Sequence, residues 1–164
     1  MIIETANQII NEINPILEEI YGEKLWSTEI VVSNRMSNTW GYASIVDDGL
    51  GEIKISAKIF AGKENSKAFR ELIIHEMAHI FEYQIRRKMS HSKFWKEIVA
   101  NAGGVPSRFT TKEQRDEIGV VLKKKTYAYV CGCKIRVVSS LINSRIKRGT
   151  NYKCEICQTI LVKE

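Results

Sequence analysis

Phe69-Arg70-Glu71-Leu72-Ile73-Ile74-His75-Glu76-Met77-Ala78-His79-Ile80-Phe81 places apolar side chains at 69, 72, 73, 77, 80 and 81, the three-and-four spacing of a helix packed into a core. Asn65 or Ser66 is available to cap its start. Within this most apolar segment of the chain, His75 and His79 stand four apart, so they share one helix face and both imidazoles can reach one metal ion. Glu76 lies beside them as a general base for water. An ionised carboxylate in so apolar a helix is costly unless a metal site or water partners it, and the metal reading removes that difficulty.

The chain has three histidines, and the third, His91, follows a Lys-rich turn at the head of the next helix. A catalytic zinc takes three protein ligands and keeps one position open, which His75, His79 and His91 would supply. Glu97, further along that helix, is the rival third ligand and ranks below His91. Glu82 and Ile85 occupy the positions where the metzincin pattern needs Gly and its third His, which excludes that family.

Upstream, Ile2, Ile3, Ala6, Ile9, Ile10, Ile13, Leu17 and Ile20 form the stripe of an amphipathic helix. Pro15 lacks an N–H, which predicts a kink there or a second short helix capped by Asn14 and ending near Gly22. The period then changes. Residues 29–32, 39–46 and 52–56 are rich in β-branched and aromatic side chains, with turn chemistry at Asp47-Asp48-Gly49, which predicts a small, largely antiparallel three-stranded sheet. Helices are expected again over about 92–102 and 111–118. Together these segments predict an α+β domain.

The full chain of 164 residues is 44% hydrophobic and 27% charged, which excludes disorder, collagen and coiled coil as its main theme. No stretch approaches the ~18 apolar residues of a membrane helix, and Met1-Ile2-Ile3-Glu4 is not a secretion start, so a cytoplasmic, unprocessed protein is expected. Charge is uneven along the chain. Residues 1–110 hold 13 Lys and Arg against 14 Asp and Glu, while residues 111–164 hold 12 against 5. A boundary is expected near 120, dividing a body of 1–120 from a basic tail of 121–164.

That tail carries all four cysteines, as Cys131-Gly132-Cys133 and Cys154-Glu155-Ile156-Cys157. Two close pairs in a chain without a secretion signal read as one tetrahedral, closed and therefore structural zinc site, a small β zinc ribbon, rather than as disulfides. Short strands are expected at 127–130, 135–138 and 160–162. The loop predicted between the cysteine pairs bears Lys134, Arg136, Arg145, Lys147 and Arg148, followed by Lys153, cations suited to the phosphates of DNA. Tyr127, Tyr129 and Tyr152 serve either to stack on bases or to pack the ribbon.

His75-Glu76-Met77-Ala78-His79, His91-Ser92-Lys93-Phe94-Trp95, Tyr129-Val130-Cys131-Gly132-Cys133 and Tyr152-Lys153-Cys154-Glu155-Ile156-Cys157 together resemble the SprT-like, or Spartan-type, zinc metalloprotease family. The resemblance implies a compact zincin-like protease domain joined to a zinc ribbon, with one catalytic and one structural Zn2+. It also implies an open site for flexible protein segments and, in eukaryotic relatives, DNA-dependent cleavage of proteins crosslinked to DNA. Ser92 and Gln158 stand where family members commonly have Gly. A monomer is expected, cytoplasmic and nucleoid-associated if bacterial. The oxyanion-stabilising residue is left open among Tyr42, Tyr83 and Arg108.

Overall fold

The computed structural model describes residues 1–119 and 126–163. The predicted boundary near 120 and the run Lys123-Lys124-Lys125 fall outside the described residues. The chain divides into two compact units, Met1–Val120 and Val121–Glu164.

The first unit opens with α1 (Ile2–Tyr21), whose buried stripe is Ala6, Ile9, Ile10, Ile13 and Leu17. The helix runs through Pro15, so no second helix begins at Asn14. Pro15 is exposed, which leaves the carbonyl it cannot satisfy open to water while the apolar stripe holds the helix on the core. Asn14 instead turns its Oδ1 to accept the Leu25 amide at 2.9 Å.

Three strands follow: β1 (Ser27–Ser33), β2 (Gly41–Asp47) and β3 (Leu50–Ser56), in the order β1-β3-β2. β2 pairs antiparallel with β3 across the Asp48-Gly49 turn, but β1 pairs parallel with β3, Ile30 opposite Ile53. The sheet is therefore mixed rather than largely antiparallel. The expectation failed because strand-forming residues report extension, while strand order is set by which edge the connection reaches.

A short α2 (Ala57–Phe60) leads to α3 (Lys67–Arg86), which crosses the sheet with Ala68, Phe69, Leu72, Ile73, Ile74, Met77, Ala78, Ile80 and Phe81 buried. Each large apolar side chain so buried contributes roughly 1.5–3 kcal/mol. The start of α3 is doubly capped. Ser66 Oγ accepts the Phe69 amide, and Glu117 accepts the Lys67 and Ala68 amides at 2.9 and 2.8 Å. Glu117 belongs to α5 (Lys112–Ile118), which itself begins in a Thr111/Gln114 capping box. Between α3 and α5 lies α4 (Lys93–Asn101), capped by Ser92 and buried through Phe94, Trp95, Ile98 and Val99. Sheet and helix approach closely at Gly51, where a Cβ would lie 2.7 Å from Ile80 Cδ1.

The second unit holds β4 (Thr126–Val130), β5 (Ile135–Ser139) and β6 (Val162–Lys163) as an antiparallel sheet ordered β5-β4-β6. The stretch expected to be a loop is a helix, α6 (Ser140–Lys147), started by Ser139 Oγ accepting the Ile142 amide. Its inward face is short: Ile142 and Ile146, one turn apart, are half-buried beside the buried polar Asn143, while Leu141 is exposed. Tyr129 is fully buried, and its hydroxyl donates to Asn143 Oδ1 at 3.0 Å, so this tyrosine packs the unit and is not open to stack on a base.

Candidate metal centres

His75 and His79 project from one face of α3, and His91, in the segment between α3 and α4, meets them. Their ligand atoms all lie within 4.8 Å of one another, with His75 Nε2 3.1 Å from His91 Nε2. Two nitrogens on one tetrahedral zinc at ~2.0 Å sit about 3.3 Å apart, so the spacing fits coordination. Trp95 forms the floor, its ring centroid 4.7, 5.3 and 4.6 Å from those of His75, His79 and His91. Glu97, the rival ligand, lies outside this group. It is exposed on α4 and pairs with Lys93 at 4.0 Å.

The electrostatics favour neutral imidazoles. Burial pushes the His75 pKa down to about 3, reinforced by His79 and His91, and burial with His91 pushes His79 down to about 4. His91 is lowered by burial and then by the positive charge of Arg108. Of the three candidate oxyanion stabilisers, Arg108 is thus one whose charge is felt at the site. Neutral rings are the metal-binding form. His79 Nδ1 is buried without a hydrogen bond.

Glu76 is buried directly after His75, and burial raises its pKa to about 7 against an opposing hydrogen bond from the Ala43 backbone on β2. Such a carboxyl exchanges protons readily near neutral pH.

Two further buried carboxylates of α3 escaped the sequence reading. Glu71 Oε2 accepts the Val105 amide at 2.7 Å, in the segment that follows α4. Glu82 holds Ser90 and Ser92 on either side of His91. The available signal was the presence of three glutamates, not one, in an apolar helix. Ser92 both caps α4 and donates to Glu82.

In the second unit Cys131, Cys133, Cys154 and Cys157 bring their sulfurs within 4.8 Å of one another. Cys131 Sγ lies 3.4 Å from Cys133 Sγ, which is 3.7 Å from Cys154 Sγ. The edge of a tetrahedral zinc–thiolate site is about 3.8 Å, so both groups could bind metal ions and their donors are consistent with zinc. Hydrogen bonds from the backbone at Cys157, from Arg136 and from the backbone at Ile156 lower the Cys154 pKa, favouring the thiolate. Arg136 Nη2 reaches Cys154 Sγ at 3.2 Å and is thereby occupied. Lys134, Arg145, Lys147, Arg148 and Lys153 are exposed, with Arg145 Nη1 donating to Tyr152 Oη and Arg148 Nε to the Ser144 carbonyl.

The SprT-like family model matches residues 6–117, which leaves the cysteine-bearing unit outside the match. Relatives named Protein SprT are 33% identical over 104 residues in Klebsiella pneumoniae, 31% over 111 in Vibrio parahaemolyticus and 32% over 102 in Escherichia coli K12. These matches cover 62%, 66% and 60% of the chain, and 60%, 64% and 59% of the relatives' own lengths. Among the described residues, no helix is long and apolar enough to cross a membrane.

Proposed function

The chain belongs to the SprT-like family, and from that premise we propose that it is a zinc-dependent endopeptidase acting on proteins bound or crosslinked to DNA. The observation that carries the reading is the convergence of three imidazoles beside one buried carboxyl, Glu76, on the same helix. Zinc held by His75, His79 and His91 would supply a Lewis acid for the scissile carbonyl and for water. Glu76 then takes the proton of the attacking water and returns it to the leaving amine.

Cys131, Cys133, Cys154 and Cys157 would hold a second zinc whose role is structural, because four thiolates leave no open position. Lys134, Arg145, Lys147, Arg148 and Lys153 are the cations we assign to DNA phosphates. Arg136 drops out of that set because its guanidinium serves Cys154. Held on DNA as a monomer in the cytoplasm, the enzyme would meet flexible segments of proteins at high local concentration.

The test is cleavage of a flexible DNA-binding protein, with and without DNA, by the zinc-loaded wild type and by Glu76→Gln. Cleavage that needs both DNA and Glu76 is expected. No cleavage by the doubly zinc-loaded wild type would favour a non-catalytic DNA-binding regulator. Cleavage by Glu76→Gln at the wild-type rate would remove Glu76 from the chemistry.

A further inference from the structure

We propose that Glu82 is a positioning residue for the histidine centre: its buried carboxylate ties the Ser90–Ser92 segment to α3 and so sets the place of His91. The inference rests on the metal-centre reading above. Glu82 is 1% exposed, and among the described residues no Lys or Arg pairs with it. Its oxygens are instead filled from both sides of His91. The Ser90 amide donates to Oε2 at 2.8 Å, Ser90 Oγ lies 3.3 Å from both oxygens, and Ser92 Oγ donates to Oε1.

Burying a carboxylate is costly, and an apolar side chain at 82 would close the core at lower cost. What the carboxylate adds is placement. From Arg87 to Ser92 the chain has no regular secondary structure, so nothing in the backbone ladder determines where the His91 ring arrives. Glu82 supplies that constraint from the same rigid helix that presents His75 and His79. The effect extends to α4. Ser92 also accepts the Trp95 amide at 3.2 Å to start that helix, which carries the indole packed against all three rings. Groups that orient metal ligands in this way typically contribute 10- to 100-fold in affinity.

The test is zinc affinity of the full chain, by competition with a chromophoric chelator, alongside thermal midpoints without and with zinc. His75→Ala identifies which zinc belongs to the histidine centre. Glu82→Gln is expected to bind zinc at that centre about 10- to 100-fold more weakly, to leave the cysteine centre unchanged, and to gain less midpoint on zinc loading. If Glu82 only supported the fold, both midpoints would fall together and the affinity would stay at the wild-type value, which overturns the proposal. Should Glu82→Gln not fold, Ser90→Gly combined with Ser92→Ala removes the hydroxyl donors and leaves the carboxylate in place. The same direction is expected there, and unchanged affinity overturns the proposal equally. If wild type and His75→Ala bind the same number of zinc ions, it is the metal-centre reading that fails.

Discussion

Gln158 donates its amide to the Cys154 carbonyl at 2.9 Å while holding a left-handed φ of 58°, which closes the turn that presents Cys154 and Cys157. A side chain with a Cβ pays about 1 kcal/mol for that conformation, and Gly does not. Gln158→Gly is expected to raise the stability of the metal-loaded ribbon by up to about 1 kcal/mol, readable in its denaturant midpoint. A lowered midpoint would mean that the Gln158 Nε2 bond to the Glu155 carbonyl outweighs the strain.

Glu76 sets a pH dependence with a definite sign. Its folded pKa of about 7 exceeds the ordinary 4.5, so the proton stabilises the fold fully below pH 4.5 and is lost as pH rises through 7. In chelator-treated protein at pH 8, Glu76→Gln should therefore be more stable than wild type, by on the order of 2–3 kcal/mol. The gap should close as pH falls towards 4.5. Thermal midpoints across that range check it, and equal midpoints at pH 8 would mean that the carboxylate is solvated.

Gly51→Ala should destabilise the first unit by about 1–3 kcal/mol, because its Cβ would fall within 3 Å of both Ile80 Cδ1 and Cγ2. Ile80→Val, which shortens the facing side chain, should recover part of the loss. A double-mutant cycle on urea midpoints measures the coupling.

Reversal of Arg145, Lys147 and Arg148 to Glu should weaken DNA binding and flatten its dependence on log salt by about 2–3 units. Zinc content should not change, since all three side chains are exposed and none touches a cysteine sulfur. Fluorescence anisotropy on labelled DNA across a salt series provides the readout. An unaltered slope would place the DNA contacts elsewhere.

The relations legible in the sequence are those carried by local geometry. A helical period puts His75 and His79 on one face whatever the helix packs against, and two close cysteine pairs announce one cluster of four sulfurs that could bind a metal ion. The cap at Ser66 and the turn at Asp48-Gly49 are equally local. What tertiary structure alone decided depends on groups far apart in the chain or on burial. The parallel pairing of β1 with β3 follows from the route of the connection, and the survival of α1 through Pro15 follows from which side faces water. The helix at 140–147 has only Ile142 and Ile146 one turn apart as its apolar face, too short a period to announce a helix without the sheet it packs on. Glu82 shows the difference most plainly: in the sequence it is one more acidic residue on a helix, and only enclosure by Ser90 and Ser92 makes its carboxylate a fixed acceptor. A side chain's identity is local, but the dielectric around it and the donors that reach it are assembled by the whole fold.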